Sequence, residues 1–196
     1  MFGGIGGEPH SVELVLYTDA HIVRARYETR QRRVTDMLNA SDEPFLVVHD
    51  AVFDELGATG SPLRAEFAQI NLASVLFAVT TEPVEPVPEL RTPKVPEQAL
   101  ISIPPFKVVG RIHLLPERSL HESLQELTGR FLPVTDASYW SDRLGEARQS
   151  AAMVAVNHAR AQILAPHREA DPWEGLGPGD EAPAEAPPWP DADRPA

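Results

Sequence analysis

The chain has 196 residues, no cysteine and a formal net charge of −12. The lack of cysteine excludes a disulfide framework and a thiolate metal site, and the acidic balance disfavours nucleic-acid binding through bulk charge. Met1 to His10 lacks the basic start and apolar run of a signal peptide, and no stretch approaches the roughly 20 apolar residues that span a membrane. We therefore expect a cytoplasmic protein without a membrane partner.

The N-terminal third predicts a flexible leader, a β-hairpin and a short helix. Residues 1–11, with two Gly-Gly pairs, are the leader. Val12 to Tyr17 is rich in β-formers, and His21 to Glu28 alternates apolar and polar side chains, as a half-buried strand does. Val34 and Leu38 are four residues apart, which places two apolar side chains on one face of a short helix.

The stretch Phe45 to Ala51 predicts a central strand, with Leu46 and Val48 facing the core. Asp50 is expected to end this strand and to accept turn amides. After a loop, two shorter strands follow, and Asn71 between them suits a left-handed turn.

The central strand returns as Phe131 to Ala137, an offset of 131 − 45 = 86 residues, which indicates an internal repeat. The same offset joins three further pairs, namely Leu38 and Leu124, Asp50-Ala51 and Asp136-Ala137, and Asn71 and Asn157. Upstream the offset is 110 − 25 = 85, joining Ala25 with Gly110, which keeps each strand's inner face inward. Each copy is thus predicted as strand, strand, short helix, strand, strand, strand.

One segment of the second copy gives conflicting signals. Gly145 to Leu164 is rich in alanine, which favours a helix. The register with the first copy instead predicts strands at Val154 to Val156 and at Ala159 to Leu164. We follow the register.

The repeat divides the chain into two units, residues 12–82 and 99–167. The proline-rich stretch 83–98 between them favours an extended, semi-rigid linker. Residues 168–196 hold eight acids and two arginines, a balance of 2 − 8 = −6, together with many prolines. Such a segment cannot bury enough apolar surface to offset its ordering entropy, so we expect a disordered tail.

Arginines cluster at the second predicted strand and the turn after it: Arg24, Arg26, Arg30, Arg32 and Arg33. An anion or RNA patch is one interpretation, because clustered guanidinium groups bind phosphates. The alternative is a solvated face whose charge is offset by nearby acids. We favour the solvated face, because the second copy retains few of these arginines.

The residues that define the repeat are interpreted as structural: Asp50, Ala51, Asn71, Asp136, Ala137 and Asn157. The two aspartates could form a carboxylate pair, but His49 beside the first becomes Thr135 beside the second. No two histidines have metal-ligand spacing on one element, and no serine has a Gly-x-Ser-x-Gly context. We predict no catalytic residue, no metal and no cofactor.

Trp173 and Trp189 stand among acids and prolines in the tail. A large aromatic side chain in an acidic disordered segment can anchor in a partner's pocket while the charges steer the encounter. These two residues are candidate partner-binding residues, and a solubilising tail is the alternative.

Two family resemblances follow from these motifs. Asp36-Met37-Leu38-Asn39 followed by Phe45 to Ala51 resembles an uncharacterised bacterial domain family with the pattern Asp-x-Leu-Asn, then Phe-Leu-x-Val-x-Asp-Ala. More distantly, the order of elements is similar to the Sm-like small β-barrel. That resemblance implies a barrel fold and RNA binding through an Asp/Asn loop and an Arg-Gly pair. Where Arg-Gly would stand, this chain has Asn71-Leu72 and Asn157-His158.

The sequence therefore predicts a mainly β protein. We expect two tandem Sm-like or SH3-like β-barrel domains, each with a short helix, which form an intramolecular pseudo-dimer if they pack together. The leading functional hypothesis is a non-catalytic adaptor or assembly module with an unknown protein partner. The alternative is a divergent Sm-like nucleic-acid binder that uses the arginine patch.

Overall fold

The computed structural model describes residues 8–31, 33–40, 43–80, 94–116, 120–125 and 129–167. The linker centre, the tail with Trp173 and Trp189, and Arg32 lie outside the described residues. The first half of the protein contains β1 (His10–Thr18), β2 (His21–Thr29), α1 (Val34–Asn39), β3 (Phe45–Glu55), β4 (Leu63–Asn71) and β5 (Val75–Thr80). The second half contains β6 (Val95–Ile103), β7 (Phe106–Leu114), α2 (Leu120–Gln125), β8 (Phe131–Ser141), β9 (Glu146–Asn157) and β10 (Ile163–Pro166), with a 3-10 turn at His158–Arg160.

The ten strands form one antiparallel sheet in the order β10-β6-β7-β8-β9-β5-β1-β2-β3-β4. The expectation of a mainly β protein is confirmed, and so is the predicted element order. The expected barrels are wrong, because the sheet is open and its terminal strands β10 and β4 do not pair with each other. Each half has the same internal order, β5-β1-β2-β3-β4 and β10-β6-β7-β8-β9.

The halves join through β5 and β9, a pairing that we call the seam. Phe77 lies opposite Val156, Ala78 opposite Ala155, and Val79 opposite Val154. Val154 to Val156 therefore lie in a strand, as the register predicted, whereas the strand predicted at Ala159 to Leu164 begins only at Ile163, after the 3-10 turn. Tertiary pairing overrides the helix propensity of alanine here.

The first hairpin forms as its alternation predicts. Val12, Leu14 and Leu16 of β1 point inward and are buried, as is Val23 of β2. At the turn, the Thr18 hydroxyl donates to the backbone oxygen of His21 and accepts from its backbone amide. This turn fixes the register between β1 and β2, so that the apolar side chains of the two strands lie on the same face of the sheet.

Two predicted backbone roles are corrected. Asp50 does not end its strand: β3 continues to Glu55, and Asp50 lies in a β-bulge with a φ of 50°. Asp136 takes the same place in β8 with a φ of 48°. Among the described residues these two aspartates are the only non-glycine positions with positive φ, so Asn71 is not left-handed.

Asn71 turns the chain by another route. Its side-chain oxygen accepts the backbone amide of Ala73 at 2.9 Å, and its carbonyl accepts the amide of Ser74 at 3.0 Å. Such an Asx turn reverses the chain without a left-handed residue.

Both hydrophobic cores draw residues from both halves. The first-half core, which includes Val34 and Leu38 of α1, also contains Phe131 and Ala155. The second-half core contains residues of the first half and is built around stacked or edge-to-face rings of Tyr17, Phe77, Phe106 and Tyr139. The halves therefore share their packing across the seam.

The second half begins earlier in the chain than predicted, because β6 starts at Val95, inside the stretch expected to be linker.

Within the described residues no helix is both long enough and apolar enough to cross a lipid bilayer.

Candidate interaction surface at the open end of the sheet

The seam strands are buried on both faces. Phe77 and Val79 of β5, with Val154 and Val156 of β9, belong to the second-half core. The residues between them, Ala78 and Ala155, belong to the first-half core. A strand at the seam therefore supplies alternate side chains to two cores, as a fully buried strand does.

Polar contacts fasten the seam at α1. The side-chain amide of Asn39 donates to the carbonyl of Phe131 at 2.9 Å, and its oxygen accepts the Phe131 amide at 2.8 Å. Gly129 leaves room for this contact, since an added Cβ there would lie 2.7 Å from the Asn39 amide nitrogen. The end of α1 is thus held against the first residue of β8.

Further polar contacts fasten the turn between β4 and β5. Asn157 is buried and donates to the carbonyl of Val75 at 2.9 Å. Arg160 donates to the carbonyl of Ala73 at 3.1 Å and forms an ion pair with Asp19. All of these contacts join the second half to the first.

Among the described residues, no second core covers the outer face of β3 and β4. We call Phe45, Val47 and Phe67 the open-end patch; their exposed fractions are 45%, 45% and 66%. Phe45 lies opposite Asn71, Val47 opposite Gln69, and Phe67 opposite His49. Phe45, Val47 and His49 alternate along β3, so all of these side chains share one face of the sheet.

The second half buries one of the corresponding positions fully and the others in part. Phe131, 86 residues after Phe45, is 2% exposed. Met153, 86 residues after Phe67, packs against the first-half core. α1 of the first half contacts β8 and supplies this cover. The open-end patch is therefore the counterpart of a buried surface that here lacks its neighbour.

The opposite edge shows the same difference. Ile163 of β10, 86 residues after the fully buried Phe77, is 57% exposed. Within the described residues, β10 pairs only with β6, and β4 pairs only with β3. Each terminal strand leaves unpaired backbone amides and carbonyls, which can template pairing with another chain.

The arginine patch is partly neutralised by its own sheet. Arg24 forms an ion pair with Asp54, and Arg26 forms one with Asp50. The second half repeats the latter contact, with Arg111 donating to Asp136 at 2.9 Å. The pairs are exposed, and pairs of this kind contribute little to stability.

Arg30 and Arg33 do not join these pairs in the described part of the chain. Arg30 follows β2, and Arg33 stands at the N-cap of α1 without a side-chain capping bond. Arg24 and Arg26 lie together on the exposed side of β2.

The aspartate bulges place neighbouring residues in the cores. Ala51 and Ala137, directly after the bulges, are each 1% exposed. At Gly110 an added Cβ would lie 2.6 Å from Val134 Cγ1, so the second bulge packs closely against β7. Beside Asp50 an open cavity of about 300 Å³ is lined by Arg64 and Glu66.

Among the described residues, two titratable groups have shifted pKa values. Burial, together with the hydrogen bond between the two hydroxyls, raises the pKa of Tyr17 beside Tyr139. A hydrogen bond from Lys107 lowers the pKa of Asp142.

A second cavity, of about 350 Å³, lies between the halves and is lined by Glu55, Pro105 and Arg143 among others. Within the described residues, no group of three or more His, Asp or Glu side chains converges to hold a metal ion.

The open-end patch was not predicted from the sequence. The repeat itself contains a signal, because Phe45 and Phe67 are equivalent to Phe131 and Met153. The exposure of equivalent residues in the two copies can be compared. That comparison becomes informative only when the pairing of β5 with β9 is known.

Comparison with family models, with curated proteins and with solved structures finds no match for this chain.

Proposed function

We propose that the protein is a non-catalytic protein-interaction module that binds a partner through the open end of its sheet. The observation that carries this proposal is the open-end patch, three apolar side chains exposed beside the unpaired edge of β4. Contiguous exposed apolar residues next to a free edge are typical of interaction sites.

The chemistry of the open end suits a partner strand. The β4 backbone offers hydrogen bonds to an added strand, and Phe67 and Phe45 offer apolar area beside it. Complete burial of one phenylalanine side chain contributes about 1.5–3 kcal/mol. Backbone pairing would supply affinity, and the aromatic side chains would select the partner.

A nucleic-acid function through the arginine patch has less support. Arg24 and Arg26 each face a carboxylate of the neighbouring strand, Asp54 and Asp50. A phosphate would have to compete with these carboxylates on a chain of net charge −12. Binding by this route predicts a salt-sensitive RNA complex that weakens when both arginines become alanine.

The test compares three tagged full-length proteins recovered from the native host: wild type, F67K and L63K. Leu63 is the matched control, because it lies on the same strand and is 71% exposed, but sits far from the open-end patch. We expect F67K to recover at least about tenfold less partner, since losing one buried phenylalanine costs more than 1.4 kcal/mol. L63K should recover as much as wild type.

Equal recovery by F67K and wild type would contradict the proposal. A chain truncated after Glu169 tests the tail in the same experiment. If only that truncation loses the partner, binding belongs to the segment with Trp173 and Trp189 and not to the open end. Loss of all bound material on nuclease treatment would instead favour the arginine patch.

A further inference from the structure

We infer that the partner of the open end is a second copy of this chain, which presents its β10 edge. This inference rests on the proposed function and names the partner of the same surface. The structure already contains one such contact, because at the seam the β5 edge of the first half pairs with the β9 edge of the second. The two free edges, β10 and β4, are the counterparts of β5 and β9.

The register of the intermolecular contact follows from the two pairings within each half. The pairing of β3 with β4 repeats in β8 with β9 at an offset of 86, from Phe45 opposite Asn71 to Phe131 opposite Asn157. Phe77 lies opposite Tyr17, and Ile163 lies opposite Ser102, so β5 and β10 are also equivalent. Transferring the seam places Ile163 opposite Ile70, Leu164 opposite Gln69, and Ala165 opposite Ala68 of the second copy.

This arrangement would bury the apolar side chains that each end of the sheet exposes. At the seam, Phe77 of β5 enters the core of the other half, and its counterpart Ile163 is 57% exposed because no described strand pairs with the outer edge of β10. Phe131 belongs to the first-half core and Met153 packs against it, whereas their counterparts Phe45 and Phe67 are exposed among the described residues. One contact between two copies would cover Ile163 on one side and the open-end patch on the other.

The edges are different surfaces, so the contact is heterologous and not two-fold symmetric. Each molecule bound by its β4 edge still has a free β10 edge, and the assembly extends head to tail or closes into a ring. The contact between two copies lacks an ion pair that the seam has. Arg160 and Asp19, which form an ion pair across the seam, have Ser74 and Pro104 as counterparts. We therefore expect reversible association.

Two variants block one edge each. F67K places a charge in the open-end patch, and I163K places one on β10; both side chains are exposed, so neither change disturbs the core of the single molecule. Lysine is chosen because it lowers the net negative charge of −12, and a loss of association then cannot come from added repulsion. L63K, about 13 Å along β4 from Phe67, is the control.

The experiment measures the molar mass of the purified full-length chain by sedimentation velocity over a range of concentrations. Wild type and L63K should form species larger than a dimer as the concentration rises. F67K and I163K should each remain at the mass of one chain, 21.5 kDa. An equimolar mixture of F67K and I163K should form a dimer and nothing larger, because the mixture contains one intact β4 edge and one intact β10 edge per pair.

Several results would overturn the inference. They are a wild-type chain that stays monomeric at its solubility limit, a mixture that does not restore the dimer, and association that survives in F67K. Self-association only after truncation at Glu169 would also overturn it, since the chain's own tail would then cover the edge. If wild type is monomeric while F67K still loses a different protein in the host, this inference fails and the proposed function stands.

Discussion

Asp50 and Asp136 hold a left-handed backbone that most side chains avoid. Aspartate, like asparagine, tolerates this conformation better than most non-glycine residues, because its short polar side chain bonds locally. Each carboxylate also forms an ion pair with an arginine of the preceding strand, Arg26 or Arg111. The sequence marks both positions as repeat-defining, but the bulge could not be predicted, since an aspartate at the end of an apolar run also signals a turn.

The backbone requirement can be separated from the ion pair by two substitutions at one position. D50A and D50G both remove the carboxylate, but only glycine accepts a φ of 50° without strain. We expect D50A to be less stable than D50G by about 1 kcal/mol, measured by urea denaturation. D136A and D136G should repeat the difference. Equal stability of the alanine and glycine variants would show that φ does not select aspartate.

The buried Tyr17 is expected to lower the stability of the folded protein at alkaline pH. Burial and the hydrogen bond with Tyr139 raise the pKa of Tyr17 above its ordinary value of 10.0, so the folded protein keeps the phenol protonated. Above about pH 10 the unfolded chain loses this proton and the folded chain does not, so stability falls as pH rises. The slope from this group approaches about 1.4 kcal/mol per pH unit, and below about pH 10 its contribution is fully present.

Y17F tests this directly. Unfolding free energies of wild type and Y17F, measured from about pH 9 to pH 11.5, should diverge in slope above about pH 10, with the wild type falling more steeply. Parallel curves would mean that Tyr17 ionises equally in both states.

At the scale of elements, α1 is short and owes its position to what it covers. It has six residues and no side-chain N-cap bond, so propensity alone does not stabilise it. Val34 and Leu38 were predicted as its buried face, and both are buried. Its second contact, from Asn39 to the β8 backbone, had no sequence signal, because it depends on which half lies beside the helix.

N39A measures that contact. The substitution removes two hydrogen bonds to the backbone of Phe131 and should lower the free energy of unfolding by about 1–2 kcal/mol. D36A, at an exposed position of the same helix, is the control and should change it by less than about 0.5 kcal/mol. An N39A variant as stable as D36A would show that α1 does not fasten the seam.

At the scale of the whole molecule, the sequence predicts the parts better than their arrangement. The element order and the strand assignment of β9 follow from alternation and from the internal offset of 86 residues. The open sheet does not follow from them, because the same strands could close into two separate barrels. The deciding interaction is Phe77 with Val156, and nothing local in either strand specifies a partner 79 residues away (156 − 77).

That separation along the chain has a consequence for synthesis. β5 leaves the ribosome long before β9, and at about 5–20 residues per second its partner strand follows roughly 4–16 s later. During that interval Phe77 and the β5 edge have no native cover, and the first half is a sheet with two bare edges. The nascent chain is therefore most exposed to misassembly while β6 to β9 are being made, and its final packing step belongs to the last strands translated.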